Sequence, residues 1–249
     1  MRSSAVLRAR SALVVIAAAT GCGGSASGSD AATVLAAASL TDTFPVIADG
    51  LKQHHPDSTV TFSFGGSSAL AQQVKAGAPA DVIATASKST MESVTDLVEE
   101  PKTFARNTIV IAVPKGNPAK VTGLADFGRA ELRLVVCAAK VPCGDAATKA
   151  FAKAGITAKP DSAEPDVRAV LTKVQLGEAD AAIVYRTDAR AASSKVDAIE
   201  LPADQQVTTD YLIAVVKASK HQDLAQAFVD EVVSESGRKA LSDAGFELP

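Results

Sequence analysis

Short β-branched runs alternate with helical stretches along most of this 249-residue chain, and that alternation leaves few architectures open. Strands are expected over 33–37, 59–64, 81–84, 107–113, 132–137, 181–185 and 211–216. Helical patterns lie between them. One starts at Ser39 and puts Phe44, Ile47 and Leu51 on one face. Others cover 69–75, 89–98 and 145–154, run from Pro165 to Leu176, and briefly follow Thr187. The stretch from His221 to Ala244 reads as one or two amphipathic helices. Alternation of this kind stacks helices on both faces of largely parallel sheets. The side chains agree, because apolar residues make up 47% of the chain but aromatics only 4%, with no Trp. Such a core suits Ala-rich helices on Val/Ile strands, not the aromatic-rich surfaces that bind sugars or nucleic acids. The chain is expected to leave one lobe near Val113 and to return near Thr208. Residues 32–113 plus 208–249 would form lobe 1, and 114–207 lobe 2, with two crossing segments as a hinge.

The amino end reads as an export signal. Arg2, Arg8 and Arg10 precede an apolar run over 12–19 that is too short to span a bilayer. Ala19-Thr20-Gly21-Cys22 looks like a lipobox, in which residues 1–21 are removed and Cys22 takes a lipid. The alternative is an ordinary secretory signal cut nearby. Residues 22–31, rich in Gly and Ser, would be a flexible tether. The body is then exported and held by its lipid on the outer face of the cytoplasmic membrane. Removing residues 1–21 takes away three arginines and no acids. Of 25 Lys+Arg and 28 Asp+Glu, 22 and 28 remain, a balance of −6. A negative chain without a basic run is a poor nucleic-acid binder, and any anion must be held by local hydrogen bonds.

Ligands of open α/β sheets sit at the carboxyl ends of strands, where helix N-termini present free N–H groups. Four strand-to-helix turns carry small or hydroxyl residues: Ala38-Ser39, Gly66-Ser67-Ser68, Pro142-Cys143-Gly144 and Pro165-Asp166-Val167. The Tyr185 hydroxyl ends another strand. Each alone is ordinary turn, cap or core chemistry. Two turns fall in each expected lobe, so they can converge on a cleft between the lobes. Neutral donors suit a fully ionised tetrahedral anion. If the site also lacks a carboxylate acceptor, the proton of hydrogen phosphate has no partner there, at a cost of about 1–3 kcal/mol.

Several segments, in order over residues 33–249, carry a family resemblance. They are Ala36-Ala37-Ala38-Ser39-Leu40, the run from Gly66 to Val74, Gly77-Ala78-Pro79-Ala80-Asp81-Val82, Val141-Pro142-Cys143-Gly144, Asp166-Val167-Arg168, Ala182-Ile183-Val184-Tyr185, and the tail Gly237-Arg238-Lys239-Ala240-Leu241 with Gly245-Phe246. Together they resemble the ModA family, periplasmic molybdate-binding components of ABC importers. The resemblance implies a two-lobe type II periplasmic-binding-protein fold, α/β, with mixed, mostly parallel sheets and a two-segment hinge. It implies that molybdate or tungstate is the ligand, with no cofactor and no metal held directly by side chains. Ser39 and Ser67 would bind oxygens through hydroxyl and N–H, Cys143 and Val167 through N–H, and Tyr185 through its phenol. Cys143 stands where the family commonly has Ala. Gly65-Gly66 replaces a Ser-rich stretch, which leaves Ser68 as an alternative to Ser67. The partners implied are a membrane permease and its ATPase, and the protein is expected to act as a monomer.

Cys137 and Cys143, six residues apart, form a disulfide or remain two buried thiols. The spacing matches neither a redox CxxC nor a zinc pattern. His54, His55 and His221 lack ligand spacing and are expected on the surface. No Walker A, GxSxG or HExxH motif occurs, so the chain is read as a binder and not an enzyme. Three rival readings remain. They are a binder of sulfate or another small anion, an enzyme recruiting Tyr185, Asp166, Asp188 and Arg168, and a surface protein with no small ligand.

Overall fold

The computed structural model describes residues 31–249; the expected signal peptide and lipid site at Cys22 lie outside them. The strands are β1 (Ala31–Ala37), β2 (Thr59–Gly65), β3 (Val82–Thr85), β4 (Lys102–Pro114), β5 (Leu134–Cys137), β6 (Ser162–Glu164), β7 (Ala181–Tyr185), β8 (Val196–Glu200) and β9 (Thr208–Val215). They follow the order β2-β1-β3-β9-β4-β7-β5-β6, with β8 also paired to β4. β1 thus takes in Ala31, the last residue of the expected tether.

The long strand β4 joins two lobes. Its residues Lys102 to Thr108 pair with β9 in the first sheet. From Ile109 onward it pairs with β7 and β8 in the second. The change of sheet falls between Thr108 and Ile109, and Val113, where the exit was expected, is paired with Asp197 in the second sheet. The β-branched run does not mark this crossing. The backbone stays extended through it, and only the partners change. Of the eight strand pairings among the described residues, four are parallel and four antiparallel, so the expectation of mostly parallel sheets is corrected to an equal mix. Every antiparallel pair contains β4 or β9, the two strands at the crossing. Strands β6 and β8 were not expected. The first is three residues long, and the second is a half-exposed edge.

The helices are α1 (Phe44–Leu51), α2 (Ser67–Lys75), α3 (Lys88–Glu92), α4 (Pro142–Ala154), α5 (Val167–Gln175), α6 (Arg186–Ala191), α7 (Gln222–Val233) and α8 (Glu235–Ala244). The helix expected from Ser39 is a 3-10 turn at Ala38–Leu40 followed by α1. Pro45 lies in the first turn of α1, where its missing N–H costs nothing, and so favours a fresh start there. The stretch 89–98 likewise breaks into α3 and a 3-10 turn at Thr95–Leu97. Helix α4 begins at Pro142, not at Asp145, again with proline at the start. The tail is two helices, split at Ser234, whose Oγ caps Gly237 N at 3.1 Å.

Phe44, Phe104 and Phe228 are buried in the first lobe with Phe62 against them, and Phe44 meets Phe228 edge-on with centroids 5.5 Å apart. Tyr185, Tyr211 and Phe246 form a second aromatic chain at the junction of the lobes. Among the described residues no helix is long and apolar enough to cross a membrane.

Candidate anion-binding site

A small cavity of about 10 Å³ lies between the lobes, and Ser39, Ser67, Cys143, Val167 and Tyr185 all line it. Ser39 and Ser67 come from the first lobe, at the ends of β1 and β2. The other three come from the second. Alternation of strand and helix produces this convergence, because each helix begins where a strand has ended at the cleft.

The sequence also decides which donors stay free. Ser39 is buried, and its Oγ is 2.8 Å from the Tyr211 hydroxyl. With Tyr211 donating, the Ser39 proton is available to the cavity. Ser67 Oγ accepts from Ala86 N at 3.0 Å, so its proton too must point elsewhere. Ser68 differs. It does not line the cavity, and its Oγ donates to Lys140 O at 2.7 Å. At the start of α4, Pro142 has no N–H, and Gly144 N and Asp145 N donate to Val141 O, which leaves the N–H of Cys143. At the start of α5, Asp166 Oδ1 accepts from Arg168 N and Ala169 N, both at 2.9 Å, which leaves the N–H of Val167. Tyr185 is 1% exposed, and among the described residues its hydroxyl has no partner in hydrogen-bond geometry. Burial, then the nearby Asp188 charge, pushes its pKa up; the neighbouring Thr209 and Tyr211 hydroxyls offset this only in part. The phenol therefore keeps its proton and remains a donor.

Among the described residues no Lys or Arg lines the cavity, but Asp166 does. The supposition that the site lacks a carboxylate is therefore corrected. Its Oδ1 is committed to the helix cap, yet exclusion of phosphate cannot rest on the absence of an acceptor. Among the described residues no three His, Cys, Asp or Glu side chains gather as a metal cluster, and the three histidines are exposed.

Cys137 and Cys143 are joined by a disulfide, with Cα atoms 5.7 Å apart. It ties the end of β5 to the first turn of α4. Gly144 completes this junction, since a Cβ there would meet Ala138 O at 2.0 Å. Replacing both cysteines by Ser is expected to lower unfolding free energy by about 2 kcal/mol, the chain-entropy value for so short a loop. Urea melts of the oxidised protein and the variant measure this, and equal midpoints would show that the bond adds nothing.

Three features of the site escaped the sequence reading. Gly66 faces the other lobe so closely that a Cβ would lie 2.4 Å from Pro165 O. This explains the second glycine of the Gly65-Gly66 pair, which had looked like turn chemistry. Arg168 Nη1 reaches across the cleft to Asp42 Oδ2 at 2.7 Å. Asp188 is fully buried, with neither oxygen hydrogen-bonded among the described residues and Arg168 Nη1 3.6 Å away. Burial above all, with the Asp42 charge adding, pushes its pKa up to about 7, against the pull of Arg168. A single sequence cannot reveal these, because each depends on a residue from the opposite lobe or a distant layer.

Residues 32–247 match the family described as bacterial extracellular solute-binding protein. The chain is 41% identical to the molybdate-binding protein ModA of Mycobacterium tuberculosis over 229 residues, 91% of this chain and 88% of that one. In fold it is similar to the periplasmic molybdate-binding protein of Azotobacter vinelandii, with a TM-score of 0.77 at 18% identity, covering 88% of this chain and 99% of that one. It is equally similar to the sulfate-binding protein SubI of M. tuberculosis, with a TM-score of 0.78 at 17% identity over 88% and 86%. Those two structures bear on the fold alone, and they bracket two different anions on one scaffold. The family match and the 41% identity settle the rest: this chain belongs to the bacterial extracellular solute-binding proteins, in the company of the ModA proteins.

Proposed function

We propose that this protein captures molybdate or tungstate in the interlobe cavity and delivers it to the permease and ATPase of an ABC importer, working as a monomer anchored by lipid at Cys22. The observation that carries the reading is the convergence of five donor residues from both lobes on one small cavity. Ser39 and Ser67 would each offer a hydroxyl and an N–H, Cys143 and Val167 an N–H, and Tyr185 its otherwise unpartnered phenol. Such neutral donors stabilise a dianion without a counter-charge, in a site shielded from water. The anion bridges the lobes, so only the closed form satisfies it, and binding draws the population towards closure. A permease can then recognise the closed shape. The donors line up for binding and not for turnover, because no nucleophile with an adjacent base lines the cavity.

Sulfate is the second reading, favoured by the fold shared with SubI. The donors serve either anion, so cavity size must decide between them. Titration calorimetry with molybdate, tungstate, sulfate and phosphate is the test. Molybdate and tungstate are expected to bind, and millimolar sulfate to compete poorly. Sulfate displacing molybdate as readily as tungstate does would overturn the assignment. Tyr185→Phe is expected to weaken molybdate binding by about 1.5–3 kcal/mol, the scale of a hydrogen bond to a charged group. Unchanged affinity would remove Tyr185 from the site.

A further inference from the structure

The start of α5 does more than offer the Val167 N–H. It packs against the 3-10 turn at Ala38–Leu40 of the opposite lobe. The next residue, Arg168, sends its guanidinium to two carboxylates. Asp188, in its own lobe, has a side chain with no solvent exposure and lies 3.6 Å from Nη1. Asp42, in the other lobe, is 51% exposed and takes Nη1 at 2.7 Å and Nη2 at 3.5 Å. The shortest ionic contact of Arg168 is therefore the one that crosses the cleft. None of Arg168, Asp42 and Asp188 lines the anion cavity.

We propose that Arg168 is a closure clasp, steadied by Asp188 from its own lobe and gripping Asp42 only when the lobes are shut. The proposal rests on the closed-cavity reading above and deepens it. Arg168 and Asp42 are positioning residues. They touch no anion, so they hold the shut form equally for every anion that fits. The pair slows opening and therefore release. It leaves the choice between anions to the cavity. Being half-exposed, it weakens with salt.

Stopped-flow dissociation of molybdate and of tungstate tests this with Asp42→Asn, Arg168→Met and the double variant. Asp42 is at the surface, so Asp42→Asn does not threaten the fold. Each single variant is expected to release both anions about 3- to 10-fold faster, a factor suited to a partly exposed bidentate pair. The factor should be the same for the two anions, and the double variant should be no faster than Arg168→Met. Unchanged release from Asp42→Asn overturns the clasp, as do additive effects or unequal factors for the two anions. Wild-type protein that binds neither anion would overturn the function proposed above, and the clasp with it. Wild-type binding with no effect in Asp42→Asn removes the clasp alone.

Discussion

Gly66→Ala is expected to fold, and to lose most of its affinity for molybdate. Gly66 has φ −63° and ψ 125°, an ordinary conformation that Ala adopts without strain. It caps α2 on the N-terminal side, where Ala costs roughly 0.5–1 kcal/mol of stability. The main cost lies elsewhere. An added Cβ would stand 2.4 Å from Pro165 O and 3.5 Å from a Val141 methyl, both in the other lobe. Pro165 O is backbone, so it cannot swing aside as a side chain would. On the hinge-closure proposal, the clash arises only when the lobes are shut. An overpacked contact costs about 1–3 kcal/mol, and here that cost falls on the closed state. Affinity should drop about 5- to 150-fold, while the anion-free protein melts within a few degrees of wild type. Titration calorimetry and small-angle scattering with saturating molybdate read the two effects. A variant that binds as tightly as wild type and compacts as fully would show that the lobes close less closely than this.

The second large effect concerns Asp188. Its carboxyl is buried without a hydrogen bond, and its pKa is pushed up to about 7 from the ordinary 3.8. In the unfolded chain it ionises near the ordinary value. Between those two pH values the folded protein keeps a proton that the unfolded chain has lost. The stabilising contribution is therefore complete below pH ~4 and fades as pH rises through ~7. Each unit of difference is worth about 1.4 kcal/mol, which gives an effect of the order of 4 kcal/mol. Asp188→Asn cannot ionise. It is expected to match wild type near pH 4 and to be the more stable of the two at pH 8. Urea melts across that range measure the difference, and parallel curves would show that burial does not raise this carboxyl. Such a costly carboxyl persists, on the clasp proposal, because it steadies Arg168. Asn at 188 should then also speed anion release.

The contrast between these two positions marks the reach of the sequence. The β-branched and helical alternation, with Gly and Pro as punctuation, determined by local chemistry that this is a layered α/β chain. It also placed Ser39, Ser67, Cys143, Val167 and Tyr185 at strand ends, since turns and helix starts are written in adjacent residues. The disulfide was open as one of two states, because six-residue spacing permits a bond without requiring it. Only the tertiary structure decided where β4 changes sheets, because an extended strand reads the same whichever neighbour it pairs with. Only it separated Ser67 from Ser68, by sending one hydroxyl to Ala86 and the other to Lys140. It also showed Gly66, Arg168, Asp42 and Asp188 to be contacts across or beneath the cleft. Those contacts join residues as much as 126 positions apart, and they exist only where two lobes meet.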